Sequence, residues 1–208
     1  ARNAIPAAAR VTVAVLPEDV PRLEALTAEF AADLKAAYDQ IEPGMELRCA
    51  VTSDQPVSVI PPEDTEALLN LILVLPNGVH TMSPFAEGLV ESSQNVGLLE
   101  HDPGCLRLSA MARSCTGHRA EELLEISRLL AVAHGFAFEQ GEHSPAWAVN
   151  PKSRLTPLTC QVYRELTGCD MVVEPVHGAL ECGAFAEKNP ELDMIAIGPS
   201  LRDVHTPK

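Results

Sequence analysis

Residues 175–208 read PVHGALECGAFAEKNPELDMIAIGPSLRDVHTPK, and this stretch decides the reading of the chain. An apolar run, Met194-Ile195-Ala196-Ile197, passes into Gly198-Pro199, and His205 follows within a short polar segment. In open α/β sheets the loops at the carboxyl ends of strands collect ligands and metals. A histidine just past such a strand is therefore placed to ligate a metal, although most histidines in globular chains are surface or packing residues.

Outward from this block, the chain alternates between helical and extended patterns. Val11–Val15 is β-branched and alternating, and is expected to be a strand. Pro17-Glu18-Asp19 opens a helix expected to run to about Ile41, with a proline and acids in its first turn. Val20, Leu23, Leu26, Phe30, Leu34, Ala37 and Ile41 recur at helical spacing and predict one buried face. Pro43-Gly44 stops the helix, and Glu46–Val51 is expected to be a second strand, which makes half of a ferredoxin-like unit. A helix is expected from about Pro61 to Leu75, buried against a sheet. Extended segments follow at Val90–Leu99 and Leu106–Ala112, joined by a His101–Gly104 turn. Arg119–Ala133 is expected as a helix with Leu123, Leu124, Ile126, Leu129 and Leu130 inward, followed by a strand at Phe136–Phe138. From about Ser144 a helix at Thr156–Thr167, a strand at Met171–Glu174, a helix after Glu181 and a strand at Met194–Ile197 suggest part of an α/β layer.

Composition sets bounds on function. With 46% hydrophobic residues in 208, a core is available for one large domain or two small ones. A net charge of −14 excludes a nucleic-acid backbone or an anionic membrane surface as the natural partner. No apolar run approaches the roughly 20 residues of a membrane span, and the chain is expected to carry no signal peptide. The 6 cysteines form no C-x-x-C pair, which fits reduced thiols in a cytoplasmic protein better than a disulfide scaffold or a zinc knuckle.

His177, Leu180-Glu181-Cys182-Gly183, Leu192-Asp193-Met194, Gly198-Pro199 and His205-Thr206-Pro207 together resemble the C-terminal signature of the aminoacyl-histidine (Xaa-His) dipeptidases, a branch of the di-zinc M20 metallopeptidases. Gly178-Ala179 departs from the family's usual Ala-Gly, which moves any required positive φ by one residue. Pro76-Asn77-Gly78-Val79-His80-Thr81-Met82-Ser83, then Gly88–Ser93 and Asn95-Val96-Gly97, are similar to a second block of the family; Asn77-Gly78 is independently a turn signal. The polar segment Glu91–Asn95 sits where a half-buried strand presents side chains to a cleft, or is an ordinary hairpin decoration. Asn3-Ala4-Ile5-Pro6 resembles the lid motif whose asparagine amide holds substrate, although asparagine is also a common turn residue. Arg113 matches the lid arginine that binds the substrate carboxylate, for which a planar guanidinium fork is suited; it is otherwise a surface arginine ending a strand. Glu181 either binds the free α-amine of the substrate or favours the dipole of the helix it opens.

The resemblance implies an α+β chain: a ferredoxin-like, lid-type sheet with helices over residues 1–143, then the closing part of a three-layer α/β metallopeptidase domain over 144–208, both incomplete. It implies hydrolysis of dipeptides ending in histidine by a zinc-activated water, two zinc ions in the parent enzyme, His205 as one metal ligand, and a homodimer formed through the lid. It assigns no catalytic residue to this chain. The family's H-x-D and E-E motifs find no counterpart, since Glu121-Glu122 lies on a helix without companion ligands. The family's lid histidine motif would precede Ala1, and a last helix would follow Lys208. The expectation is thus a C-terminal fragment of such an enzyme, inactive alone and unable to hold zinc tightly. The alternative of another class is a non-catalytic dimerisation or interaction module. A related M20 amidohydrolase with another substrate fits the Glu91-Ser92-Ser93 and Leu180–Gly183 blocks less well.

Overall fold

The computed structural model describes residues 4–52, 58–84, 87–102, 104–142, 145–174 and 180–198. Asn3, His177 and His205 fall outside these, as do Pro199 and the segment after it. The described residues form five α-helices and one three-stranded antiparallel sheet, a mixed α+β arrangement. They group into two compact units, Ala9–Thr65 and the union of Ala1–Ala8 with Glu66–Lys208.

In the first unit, a 3₁₀ turn at Pro17–Asp19 leads into α1, Val20–Tyr38. Proline suits the opening turn, where an N–H has no intrahelical partner, and Lys35 in the last turn suits the negative end of the helix dipole. The expected buried face is not buried: no α1 residue is fully covered, and Leu26 and Phe30 stay more than half exposed. The cause lies in the flanking segments. Val11–Val15 and Glu46–Val51 are not strands, so the described residues of this unit form no sheet to receive the helix.

The sheet belongs to the second unit. After α2 (Pro62–Val74), whose Leu68 and Leu71 are buried, come β1 (Gly78–Met82), β2 (Val90–Asp102) and β3 (Cys105–Ser114), in the order β1-β2-β3. β2 is central. The β2–β3 ladder runs from Ser92 opposite Ser114 to Asp102 opposite Cys105, with one irregularity between Val96 and Leu98. So short a connection needs a left-handed residue, and Gly104 supplies it at φ 78°. Irregularities at Val79–Thr81 and Thr81–Met82 let β1 pair with β2 from Gly78–Gln94 to Met82–Val90.

α3 (Gly117–Ala133) lies against β2 and β3. Its buried positions are Leu123, Ser127 and Ala131, one stripe at a spacing of four. The expected inward set is therefore corrected: Leu123 is fully enclosed, Leu129 faces water, and Ser127 takes an inward place. A serine is stable there because Gln94, also buried, donates from Nε2 to Ser127 Oγ at 3.0 Å and accepts from it at Oε1 at 3.2 Å. Gln94 Nε2 also donates to the Pro76 carbonyl at 3.0 Å, which ties the entry of β1 to the same network.

Two further helices follow, α4 (Leu155–Thr167) and α5 (Glu181–Lys188). α4 ends on Gly168 in the left-handed region, the usual role of a glycine after a helix. The strands expected at Phe136–Phe138, Met171–Glu174 and Met194–Ile197 are absent. Their residues have β propensity, but a strand exists only where another backbone completes its ladder, and no described segment does so. The expected division at 143/144 stays an expectation; the compact units divide elsewhere.

Candidate functional site

Side chains alternate across a strand, so β2 presents two different faces. Ser92 and Gln94 are enclosed, and Gln94 points to α3. Ser93 and Asn95 point the other way. Register places Val79, Ser93 and Arg113 in one row across the three strands, with Asn95 opposite Met111 two residues along. Ser93, Asn95, Met111 and Arg113, with Val79 and Ile5, border an open cavity of about 250 Å³.

Ile5 reaches this face although it lies far away in sequence. Asn95 Nδ2 donates to the Ala4 carbonyl at 2.9 Å, a contact spanning 91 residues. The cavity thus has an apolar floor and one cation. No salt bridge among the described residues engages Arg113. By contrast, Arg119 pairs with Glu122 and Arg128 with Glu125. An unpaired guanidinium at an apolar cavity is suited to a small ligand ending in a carboxylate.

At the start of β2, Glu91 accepts from Thr81 Oγ1 at 3.0 Å and from Thr116 Oγ1 at 3.5 Å, while Thr81 Oγ1 also bonds Ser92 Oγ. Burial, and secondarily the Glu91 charge, push the Cys115 thiol above its usual range. Cys115 is thereby kept as a thiol, which is the opposite of what a nucleophile requires. All six cysteines are free.

Glu181 opens α5 and is exposed. It does not border the Arg113 cavity. Two residues on, Gly183 is buried against the loop before α4: a Cβ there would sit 2.5 Å from the Pro145 carbonyl oxygen. The Leu180–Gly183 motif therefore contains one glycine fixed by close backbone approach. Asp193 of the Leu192–Met194 motif accepts at Oδ2 from Arg154 N at 2.7 Å and Leu155 N at 2.9 Å, satisfying the start of α4. The Ser153 hydroxyl, then the Leu155 and Arg154 N–H groups, hold the Asp193 carboxyl below the usual carboxylate range. Oδ1 is enclosed without a hydrogen-bond partner among the described residues.

Of the residues expected at the site, Arg113 lines the cavity and Glu181 does not. Asn3 and His205 lie outside the described residues. Ser93, lying within the polar segment singled out in the sequence, was legible from alternation. The Asn95–Ala4 contact and the Val79 and Met111 walls depend on register and chain return, which carry no local signal. Among the described residues, no group of three or more His, Cys, Asp or Glu side chains is placed to hold a metal ion. The zinc implied by the resemblance is therefore not matched by the described donor set. No helix among the described residues is long and apolar enough to cross a membrane.

No protein-family model matches the chain. The chain is 29% identical to the cytosol non-specific dipeptidase of Escherichia coli (strain K12) over 207 residues, which covers 99% of this chain and 42% of that protein. The crystal structure of aminoacylhistidine dipeptidase from Vibrio alginolyticus superposes with a TM-score of 0.80 at 26% identity, over 88% of this chain and 37% of the other. The chain thus spans well under half the length of either relative. It is a partial homologue of these dipeptidases.

Proposed function

We propose that this chain supplies substrate-holding elements of a metal-dependent dipeptidase that cleaves Xaa-His dipeptides, with the hydrolytic centre formed by residues other than those described. The observation that carries this reading is Arg113: an arginine without a salt bridge, aligned with Ser93, at an open and largely apolar cavity. Its guanidinium takes the C-terminal carboxylate of the dipeptide. Hydrogen bonds to charged groups contribute about 1.5–3 kcal/mol. Asn3 holds the peptide group through its amide, and Glu181 pairs with the free α-amine. His205 is the one metal ligand proposed in this chain; because the described residues do not form a metal site, no hydrolytic step is assigned to them.

In this reading residues 1–143 are the lid, with a ferredoxin-like plan, and 144–208 close a three-layer α/β catalytic domain. The parent is a cytoplasmic homodimer joined through the lid. The test is calorimetric titration of the chain with alanyl-histidine and with its C-terminal amide. Saturable binding of the free acid, at least tenfold tighter than the amide, supports the reading; equal affinities sink it.

A second reading, a non-catalytic dimerisation module, is favoured by one observation. Leu26 and Phe30, one helical turn apart on α1, are 53% and 58% exposed, and such adjacent apolar exposure marks interaction surfaces. A stable dimer by light scattering, without dipeptide binding, supports this alternative.

A further inference from the structure

Asn95 sits on the central strand of the sheet, paired with Met111 of β3 and directly after Gln94, where the ladder to β1 begins. Its neighbour Val96 is held a second time, through its N–H to Asn77 Oδ1 at 2.9 Å. Asn95 is therefore a rigid anchor. Its Nδ2–H to the Ala4 carbonyl crosses from that anchor to a segment without regular structure. Ile5, the next residue, borders the Arg113 cavity yet remains 88% exposed, so its own packing does little to hold it. The amide of Asn95 thus holds in place a piece of chain whose apolar side chain overhangs a cationic cavity.

We propose that Asn95 is a positioning residue for this cavity: by holding the Ala4 carbonyl it sets Ile5 as the wall against which the side chain of a carboxylate-ended dipeptide packs. The proposal rests on the reading of Arg113 as the carboxylate-binding group. With the carboxylate on Arg113, the side chain of the same residue lies over the apolar border formed by Val79, Met111 and Ile5. Seating it removes Ile5 surface from water, so affinity depends on where Ile5 stands. Asn95 therefore controls discrimination between bulky and small C-terminal residues, without itself contacting the ligand.

The test uses the whole chain, alanyl-histidine and alanyl-glycine as probes, and hydrogen exchange at the amides that follow Ala4. Asn95→Leu removes the donor at similar volume. It is expected to weaken alanyl-histidine about tenfold, the scale of one net hydrogen bond. Alanyl-glycine should change less than threefold, and exchange at Ile5, Ala7 and Ala8 should accelerate. Asn95→Gln, which keeps a primary amide, should recover part of the affinity. Ile5→Ala alters an exposed side chain, so it keeps the fold even where Asn95→Leu does not; it should also weaken alanyl-histidine selectively. A merely structural role would weaken both dipeptides alike. Equal losses for both, or unchanged affinity in both Asn95→Leu and Ile5→Ala, overturn the proposal. If Arg113→Ala abolishes binding while the Asn95 and Ile5 variants do not alter it, the positioning role alone fails. If the wild-type chain binds neither dipeptide, or Arg113→Ala binds as the wild type does, the site reading fails and the positioning role with it.

Discussion

Asp193 Oδ2 accepts the backbone N–H of Leu155 at 2.9 Å, 38 residues earlier in the chain. The contact fastens one motif segment to the start of a helix where Ser153 Oγ caps the Thr156 N–H and Arg154 makes no side-chain cap. Asp193→Ala should therefore lower the melting temperature by leaving the Arg154 and Leu155 N–H groups without their acceptor. The effect has a defined pH dependence. Folding lowers the carboxyl pKa below its ordinary 3.8, so the folded state binds fewer protons than the unfolded chain. The stabilisation is complete above that ordinary value and is lost as pH falls through the depressed folded pKa. Melting curves of wild type and Asp193→Ala should be well separated at neutral pH and converge in strong acid. A constant separation would show that the charge is not involved.

Gly183→Ala places a methyl group 2.5 Å from a backbone carbonyl, a position from which Pro145 must retreat. Overpacking of this kind costs about 1–3 kcal/mol. Urea denaturation should show a reduced midpoint with an unchanged slope. A midpoint equal to that of the wild type would mean that the loop before α4 yields freely.

Gln94 and Ser127 share one buried exchange of hydrogen bonds. Ser127→Ala leaves part of the glutamine amide unsatisfied and should cost about 1–3 kcal/mol. Gln94→Leu strands the serine hydroxyl and also releases the Pro76 carbonyl. The double variant Gln94→Leu/Ser127→Ala should be less destabilised than the sum of the two, by roughly 0.5–3 kcal/mol. Additive losses in a denaturation cycle would show that the two side chains stabilise independently.

Much of the chain was legible because its signals are local. α1, α2, α3 and α4 fall within about three residues of their expected bounds, since prolines, acids and apolar spacing mark a helix from within. The β2–β3 hairpin was legible from its His101–Gly104 turn and the extended segments on either side. Arg113 is singled out in the sequence because the block around it resembles a known lid, and it lies at the cavity; its role there is a proposal. The five strands that did not form were read from residue type alone. Val11–Val15 and Met194–Ile197 have the composition of strands, but composition does not name the backbone that must pair with them. Ser127 was missed because its burial depends on Gln94, which lies 33 residues away. Asn95 was read as part of a motif; its grip on Ala4 depends on a chain return that no periodicity encodes.

The central claim is that Arg113 holds the carboxylate of a dipeptide, and a charge-swapped comparison tests it most directly. Alanyl-histidine and its C-terminal amide are titrated into the wild-type chain and into Arg113→Ala, with dissociation constants measured by calorimetry. The account predicts that Arg113→Ala weakens the free acid by at least tenfold, on the scale of one charge-assisted hydrogen bond, and leaves the amide unchanged. Equal affinity of both chains for the free acid, or equal losses for acid and amide, would contradict it.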